Sequence, residues 1–257
     1  WAEYKSPTWF SAWESITTNP DTIFVTDRPI VQELQFTILP PTYTGEDEFQ
    51  HPGNITDISI PEGSRVRLTG KSSKTLDSAW LFLDEIPNVL YVQENKLSGT
   101  FHIKSKTNAA IYIQDENGVR NLHPPNYRFS IIPDSPPDLI VQNPNRKFEL
   151  DESDIIGFDI QTSDDYGFSN AWIEYRIKAP DYLAQDTTLY KRNIAEIQRD
   201  VKSQQLYHEW NISEFSLAPE DELHIQVIIA DNNTLSGPSL TYSPILIGRF
   251  PSLEDLF

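Results

Sequence analysis

Between Val31 and Ile38 the sequence VQELQFTI sets Leu34, Phe36 and Ile38 on one face and polar residues on the other. A period of two predicts a β-strand with one buried face. Pro40 and Pro41 end it, since neither can donate to a ladder. Short apolar runs then recur at Ile58 and Ile60, Val66 and Leu68, Ala79 to Leu83, Leu90 to Val92, Phe101 to Ile103, Ala109 to Ile113 and Tyr127 to Ile132. Turn formers stand between them, among them Pro61-Glu62-Gly63-Ser64 and Asp115-Glu116-Asn117-Gly118. The segment Pro133-Asp134-Ser135-Pro136-Pro137 reads as a stiff connector. Beyond it the pattern starts again, at Leu139 to Val141, Phe148 to Leu150, Ile155 to Ile160, Ala171 to Ile177, Leu206 to Trp210, Leu223 to Ala230 and Tyr242 to Ile247. Many short strands with turn residues between them predict an all-β protein.

The two halves share anchors in the same order. Ile60-Pro-Glu-Gly-Ser corresponds to Leu150-Asp-Glu-Ser-Asp, Ala79-Trp80 to Ala171-Trp172, and IYIQDENG (111–118) to VIIADNNT (227–234). Units of about 100 residues with some seven strands each predict tandem Ig-like or fibronectin-type β-sandwiches. The expected division is 34–133 and 138–248, with 1–33 a partial element and 249–257 the start of a following segment. Trp80 and Trp172 are expected in the cores. Residues 179–202 look inserted, with IAEIQRDV (194–201) a short helix or a loop.

Residues 1–21 hold three of the six tryptophans, and Trp9, Phe10, Trp13 and Ile16 fall at helical spacing. Trp9 and Trp13 therefore suggest an aromatic ligand platform, a membrane-interface anchor, or a segment packed on the first β domain. Tyr43, in the turn PTYTG, reads as exposed and joins them as a candidate ligand contact.

The formal charge is −18. Without a basic face there is nothing to release phosphate counterions, so nucleic acid is excluded as a partner and anionic lipid is disfavoured. Acidity keeps an extended surface soluble, or serves a divalent cation or a basic partner. The chain has no cysteine and no methionine, and it begins at Trp1, so it is expected to be a piece of a longer protein. No run approaches the roughly 20 apolar residues that span a bilayer.

Asp164, Asp165 and Asp231 are the candidate metal ligands, for loop-end carboxylates supply the oxygens Ca²⁺ takes. The competing reading is turn chemistry, because no DxDxDG loop with a distal glutamate is present. The five histidines show neither HxH nor HExxH spacing, and no GxSxG, GxxxxGK or GxGxxG occurs. No catalytic residue and no cofactor other than Ca²⁺ is expected.

PPTYTG (40–45), IPEGSRVRL (60–68), DDYGFSNAWIEYRI (164–177) and RFPSLEDLF (249–257), in that order, resemble a family of large membrane-anchored bacterial envelope proteins. These combine N-terminal membrane spans, Ig-like repeats and a long, often glutamine-rich helical region. Phe168 stands where that family usually has leucine, and the 179–202 insertion is long for it. The resemblance implies a periplasmic or extracellular position, anchoring through segments outside this sequence, and residues 1–33 as the tail of a preceding β domain. It implies no catalytic residues. The leading expectation is a non-enzymatic spacer or protein-interaction module whose partners are other proteins or flanking parts of its parent. Alternatives are a carbohydrate- or Ca²⁺-binding adhesin-like module and an accessory domain of a polysaccharide-active enzyme.

Overall fold

The structure, a computed structural model, describes residues 3–5, 15–17, 26–150, 154–184, 186–215 and 217–250. Near the N-terminus β1 (Glu3–Lys5) pairs antiparallel with β2 (Ser15–Thr17). The helix expected from Trp9 to Ile16 is thus replaced by strand at Ile16, while Trp9, Phe10 and Trp13 lie outside the described residues.

Two β-sandwiches follow. One sheet of the first has the order β4 (Phe49–Pro52), β3 (Val31–Leu39), β6 (Arg65–Ser72), β10 (Lys96–His102), β9 (Tyr91–Gln93). The other runs β5 (Asp57–Pro61), β12 (Asn126–Ile132), β11 (Thr107–Asp115), β7 (Leu76–Leu83), β8 (Ile86–Val89). In the second sandwich, β13 (Asp138–Asn143), β15 (Ile155–Ser163) and β18 (Ser203–Asn211) form one sheet. The facing sheet has the order β14 (Lys147–Glu149), β21 (Leu246–Arg249), β19 (Glu222–Asp231), β16 (Phe168–Lys178), β17 (Tyr190–Asn193), with β20 (Leu240–Tyr242) also on β19. The chain is therefore an all-β tandem of Ig-like, fibronectin-type sandwiches.

The halves repeat in register. Ala79 lies opposite Ile113 and Ala171 opposite Ile229. Each ladder bulges near the end, where Asp115 faces Leu76 and Asp231 faces Phe168. In each sandwich a short strand pairs parallel with the last long one, β5 with β12 and β14 with β21. Ordinary alternation puts these two aspartates on the core face at one pole of their sandwich, in line with Ile111 and Ile113 on β11 and with Val227 and Ile229 on β19, and the extra residue of each bulge lies on the partner strand, β7 or β16.

The tryptophans correct the expectation. With side chains alternating across a strand, Ala79 and Ala171 take the core face, completely buried, and Trp80 and Trp172 point to the other side. Trp172 packs outside the main core with Ile228 and Ala230. Among the described residues the fully buried tryptophan is Trp210 on β18, which packs with Phe158, Tyr175 and Phe215. In the first core Phe36 plays the comparable part, edge-on to Tyr127 and Phe129. The 194–201 segment is turn and bend rather than helix, and Ile194 belongs to the second core.

Candidate functional site

The site lies where the two sandwiches meet. Its first component follows from Pro40-Pro41: β3 stops at Leu39, and Thr42–Thr44 form a single 3-10 turn closed by Gly45. Thr44 Oγ1 donates to the Pro41 carbonyl at 2.8 Å. The turn aims Tyr43 at the second sandwich, where its ring meets the Tyr166 ring edge-on with centroids 5.7 Å apart. Tyr43 is 9% exposed, so the expectation of an exposed tyrosine is corrected: its ring is enclosed by the neighbouring domain and presents no face to a sugar.

The second sandwich answers with the turn after β15 and the loop after β19. Asp164 Oδ2 accepts the N–H groups of Tyr166 and Gly167, each at 2.8 Å. Gly167 sits at φ +114°, and a Cβ there would meet the Arg199 carbonyl at 2.4 Å, so the turn needs glycine. Asp231 Oδ1 accepts N–H groups from Asn233 (3.0 Å) and Ser239 (2.9 Å), folding the loop back on its strand.

Two asparagines of that loop clasp the rest. Asn232 Nδ2 donates to the carbonyls of both Tyr43 and Tyr166, at 2.9 Å each. Asn233 Nδ2 donates to Oδ2 of Asp134, in the connector, at 2.7 Å. Leu235 then presses on Gly63 so closely that a Cβ on Gly63, already at φ +77°, would lie 2.1 Å from its Cδ1. Strand ends, connector and loop form one interlocked joint.

Of the three sequence-predicted carboxylates, the structure brings Asp164 and Asp231 together and leaves Asp165 apart. Asp165 is exposed, and its Oδ2 accepts the Ser135 N–H at 3.2 Å. Its place as candidate ligand is taken by Asp134, which sequence reasoning treated only as part of a connector. Burial, then the charges of Asp231 and Asp164, push the Asp134 carboxyl above the ordinary range. Burial does the same to Asp164 against its two N–H bonds, with the Asp231 charge adding to it. Asp231 is 0% exposed. Asp164 Oδ1 and Asp231 Oδ2 are buried without a hydrogen-bond partner, whereas the Asp134 carboxyl takes the Tyr43 hydroxyl as well as Asn233. Among the described residues no three His, Cys, Asp or Glu side chains are placed so that they could hold a metal ion together.

Comparison with known proteins follows the fold only. No family model and no curated protein matches the sequence. Similar solved structures include the fibronectin(III)-like modules of Clostridium thermocellum CbhA, at 10% identity over 78% of this chain and 91% of that one, with a TM-score of 0.29. A marsupial T cell receptor matches at 11% identity over 86% and 73%, with a TM-score of 0.36. A protein described as membrane-anchored, from Corynebacterium diphtheriae, matches at 11% identity over 92% and 63%, with a TM-score of 0.27. No helix among the described residues is long and apolar enough to cross a membrane.

Proposed function

We propose that this chain is a non-enzymatic, extracytoplasmic spacer and protein-interaction module of a larger membrane-anchored bacterial protein, with its two sandwiches held at a fixed angle. The observation that carries the reading is Asn232, whose one amide group bonds carbonyls on both domains. A spacer needs such a clasp because two domains joined only by a connector move relative to each other by default. The polar groups of the joint are spent on holding backbone in place rather than on presenting a nucleophile beside a base, which is the arrangement catalysis would call for. The opposite pole of the first sandwich adds support. There a cleft of about 640 Å³ runs between Ile30, Leu34, Leu122, Pro124 and Tyr127, a surface suited to a flanking module of the same parent.

The absence of native cysteine makes the test direct. Spin labels on cysteines placed at the exposed positions Lys96 and Glu209 report the distance between the domains by pulsed electron resonance. A single narrow distance distribution is expected. Asn232→Ala leaves the Tyr43 and Tyr166 carbonyls unbonded, at a cost of about 1–3 kcal/mol, and should broaden that distribution. A broad distribution in the unmutated chain would remove the rigid-spacer reading.

A further inference from the structure

The repeat supplies an internal control for the joint. At the matching pole of the first sandwich, Ser72 stands where the second has Asp164, Lys74 where it has Tyr166, and Asp115 where it has Asp231. A connector is tied to that pole in both halves: Ser73 Oγ accepts the Ile30 N–H at 3.0 Å, as Asp165 accepts that of Ser135. In the first joint the Lys74 ammonium reaches Asp115 Oδ2 at 3.4 Å and also bonds Thr26 Oγ1 and the Asp27 carbonyl. The other carboxylate oxygen is held by the turn that follows. Asp115 Oδ1 accepts the N–H groups of Asn117 (3.0 Å) and Val119 (2.9 Å), and the Asp115 carbonyl accepts that of Gly118 at 2.9 Å. The buried carboxylate therefore depends on the length and path of residues 115–119.

That turn contains Asn117-Gly118, the one Asn-Gly pair in the sequence. Both residues are exposed, and the Asn117 side-chain amide bonds no protein group among the described residues. Gly118 sits at φ +76°, and a Cβ built on it would meet nothing within 4 Å, so there is room for a ring to close beside its nitrogen. The matching pair in the second half is locked. Asn233 is buried and followed by Thr234, its Nδ2 donates to Asp134 at 2.7 Å, and its Oδ1 accepts the N–H groups of Leu235 and Ser236. We propose that Asn117 is a site of spontaneous deamidation through a cyclic imide with Gly118, and that the isoaspartate it yields loosens the first joint.

The Gly118 nitrogen gives its proton to hydroxide and attacks Cγ of the Asn117 amide. The bond from Cγ to the side-chain nitrogen breaks, and ammonia leaves with a proton from water, closing a succinimide ring. Water then opens the ring at either carbonyl. Opening at Cγ gives aspartate, and opening at the main-chain carbonyl gives isoaspartate, whose backbone runs through the side chain and is longer by one carbon. Glycine favours the step because no Cβ shields the attacking nitrogen. An exposed turn tip opens at little cost, so the hydrogen bond from Gly118 to the Asp115 carbonyl slows the attack without forbidding it. The imide has no N–H to return to that carbonyl, and isoaspartate carries Val119 away from Asp115 Oδ1. The Val119 N–H is the foremost of the groups that hold the Asp115 carboxyl below its ordinary range. Its loss leaves the buried carboxylate with Lys74 as its main partner.

The test is incubation of the full 257-residue chain in warm, mildly alkaline buffer, beside the same chain unfolded in urea, with peptide mapping that separates aspartate from isoaspartate. Conversion of Asn117 is expected in both samples, faster in urea, with isoaspartate the larger product. Asn233 should stay intact in the folded chain. Asn117→Gln, whose longer amide closes a ring far more slowly, should show no change at this position. The purified isoaspartate form should melt about 5 °C lower than fresh protein in the transition of the first sandwich. Asn117→Asp, which brings the charge without the extra carbon, should lose clearly less, and so separates the altered backbone from the added carboxylate. The proposal falls if Asn117 stays intact in the folded chain while the urea sample converts, if folded Asn233 converts as fast as Asn117, or if the isoaspartate form melts together with fresh protein.

Discussion

The two sandwiches bury the same aspartate at the same bulge, Asp115 at 2% and Asp231 at 0% exposure, and surround it oppositely. In the first, the Val119 N–H above all, then Lys74 and the Asn117 N–H, hold the Asp115 carboxyl below the ordinary range. In the second, burial and mutual repulsion hold Asp134 and Asp164 above it. One backbone plan thus carries two electrostatic solutions, a self-contained ion pair and an open cluster. The fold sets where the aspartate goes, and two side-chain changes decide what it needs.

The most damaging way to break this comparison is to take the cation from the first joint. Lys74→Met keeps the length of the side chain and leaves Asp115 buried against apolar surface, with Thr26 and Asp27 released. Removing one partner of a buried pair costs far more than the pair contributes, so the first sandwich should lose about 10 °C in melting midpoint. The equivalent change in the second, Tyr166→Met, removes the edge-on contact with Tyr43 and the ring beneath the Lys202 ammonium, breaks no buried ion pair, and should cost much less. Equal losses in differential scanning calorimetry would show that the two joints do not differ in the way described.

Much of the fold was legible because alternation and turn chemistry are local. The strands beginning at Val31 and Ile155 each carry one apolar face, and the repeat anchors at Ala79 and Ala171 fall at matched ladder positions. The run AWLFL, however, is apolar on both faces, so the pattern gives no way to choose between Ala79 and Trp80 for the core. Packing chose the alanines. Asp164 and Asp231 could be picked out at loop ends, but Asp134 could not, because within PDSPP it reads as solvated connector. Its partner Asn233 is 99 residues away, and Tyr43 lies 189 residues from Asn232. A signal did exist in the repeat. Laying SSKTL over DDYGF shows a lysine lost and two carboxylates gained beside an aspartate that both halves keep.

Acid sharpens the comparison with a smaller effect of opposite sign in the two halves. Asp115, lowered in the folded state, contributes stability present above the ordinary carboxylate value of about 4 and lost as pH falls through its folded value. Asp134 and Asp164, raised in the folded state, contribute most below that value and lose their contribution as pH rises through their folded values. Lowering the pH from 7 toward 4 should therefore tighten the second joint, by a few degrees, before general acid unfolding sets in. Asp134→Asn should gain part of that at pH 7 and flatten the response. An unaltered pH response in Asp134→Asn would contradict the assignment.

The smallest effect concerns the tryptophans on the outer faces, where the two halves agree in plan and differ in degree. Each carries a cation over its ring: Lys191 Nζ lies 3.7 Å from the Trp172 centroid, and the Arg120 guanidinium 5.3 Å from that of Trp80. Trp172 is also fixed by its indole N–H, which donates to Glu174 at 3.0 Å, and it is buried where Trp80 is half-buried. A closer, better desolvated cation interacts more strongly, so Lys191→Ala should cost about 0.5–1 kcal/mol and Arg120→Ala less. Paired denaturant titrations with Lys191→Met separate charge from coverage, since methionine keeps the apolar stem over the ring. If Lys191→Met is as stable as the unmutated chain, the lysine acts there as cover and not as charge. The outer tryptophans would then be a packing device shared by both halves, and the electrostatic difference between the sandwiches would be confined to their joints.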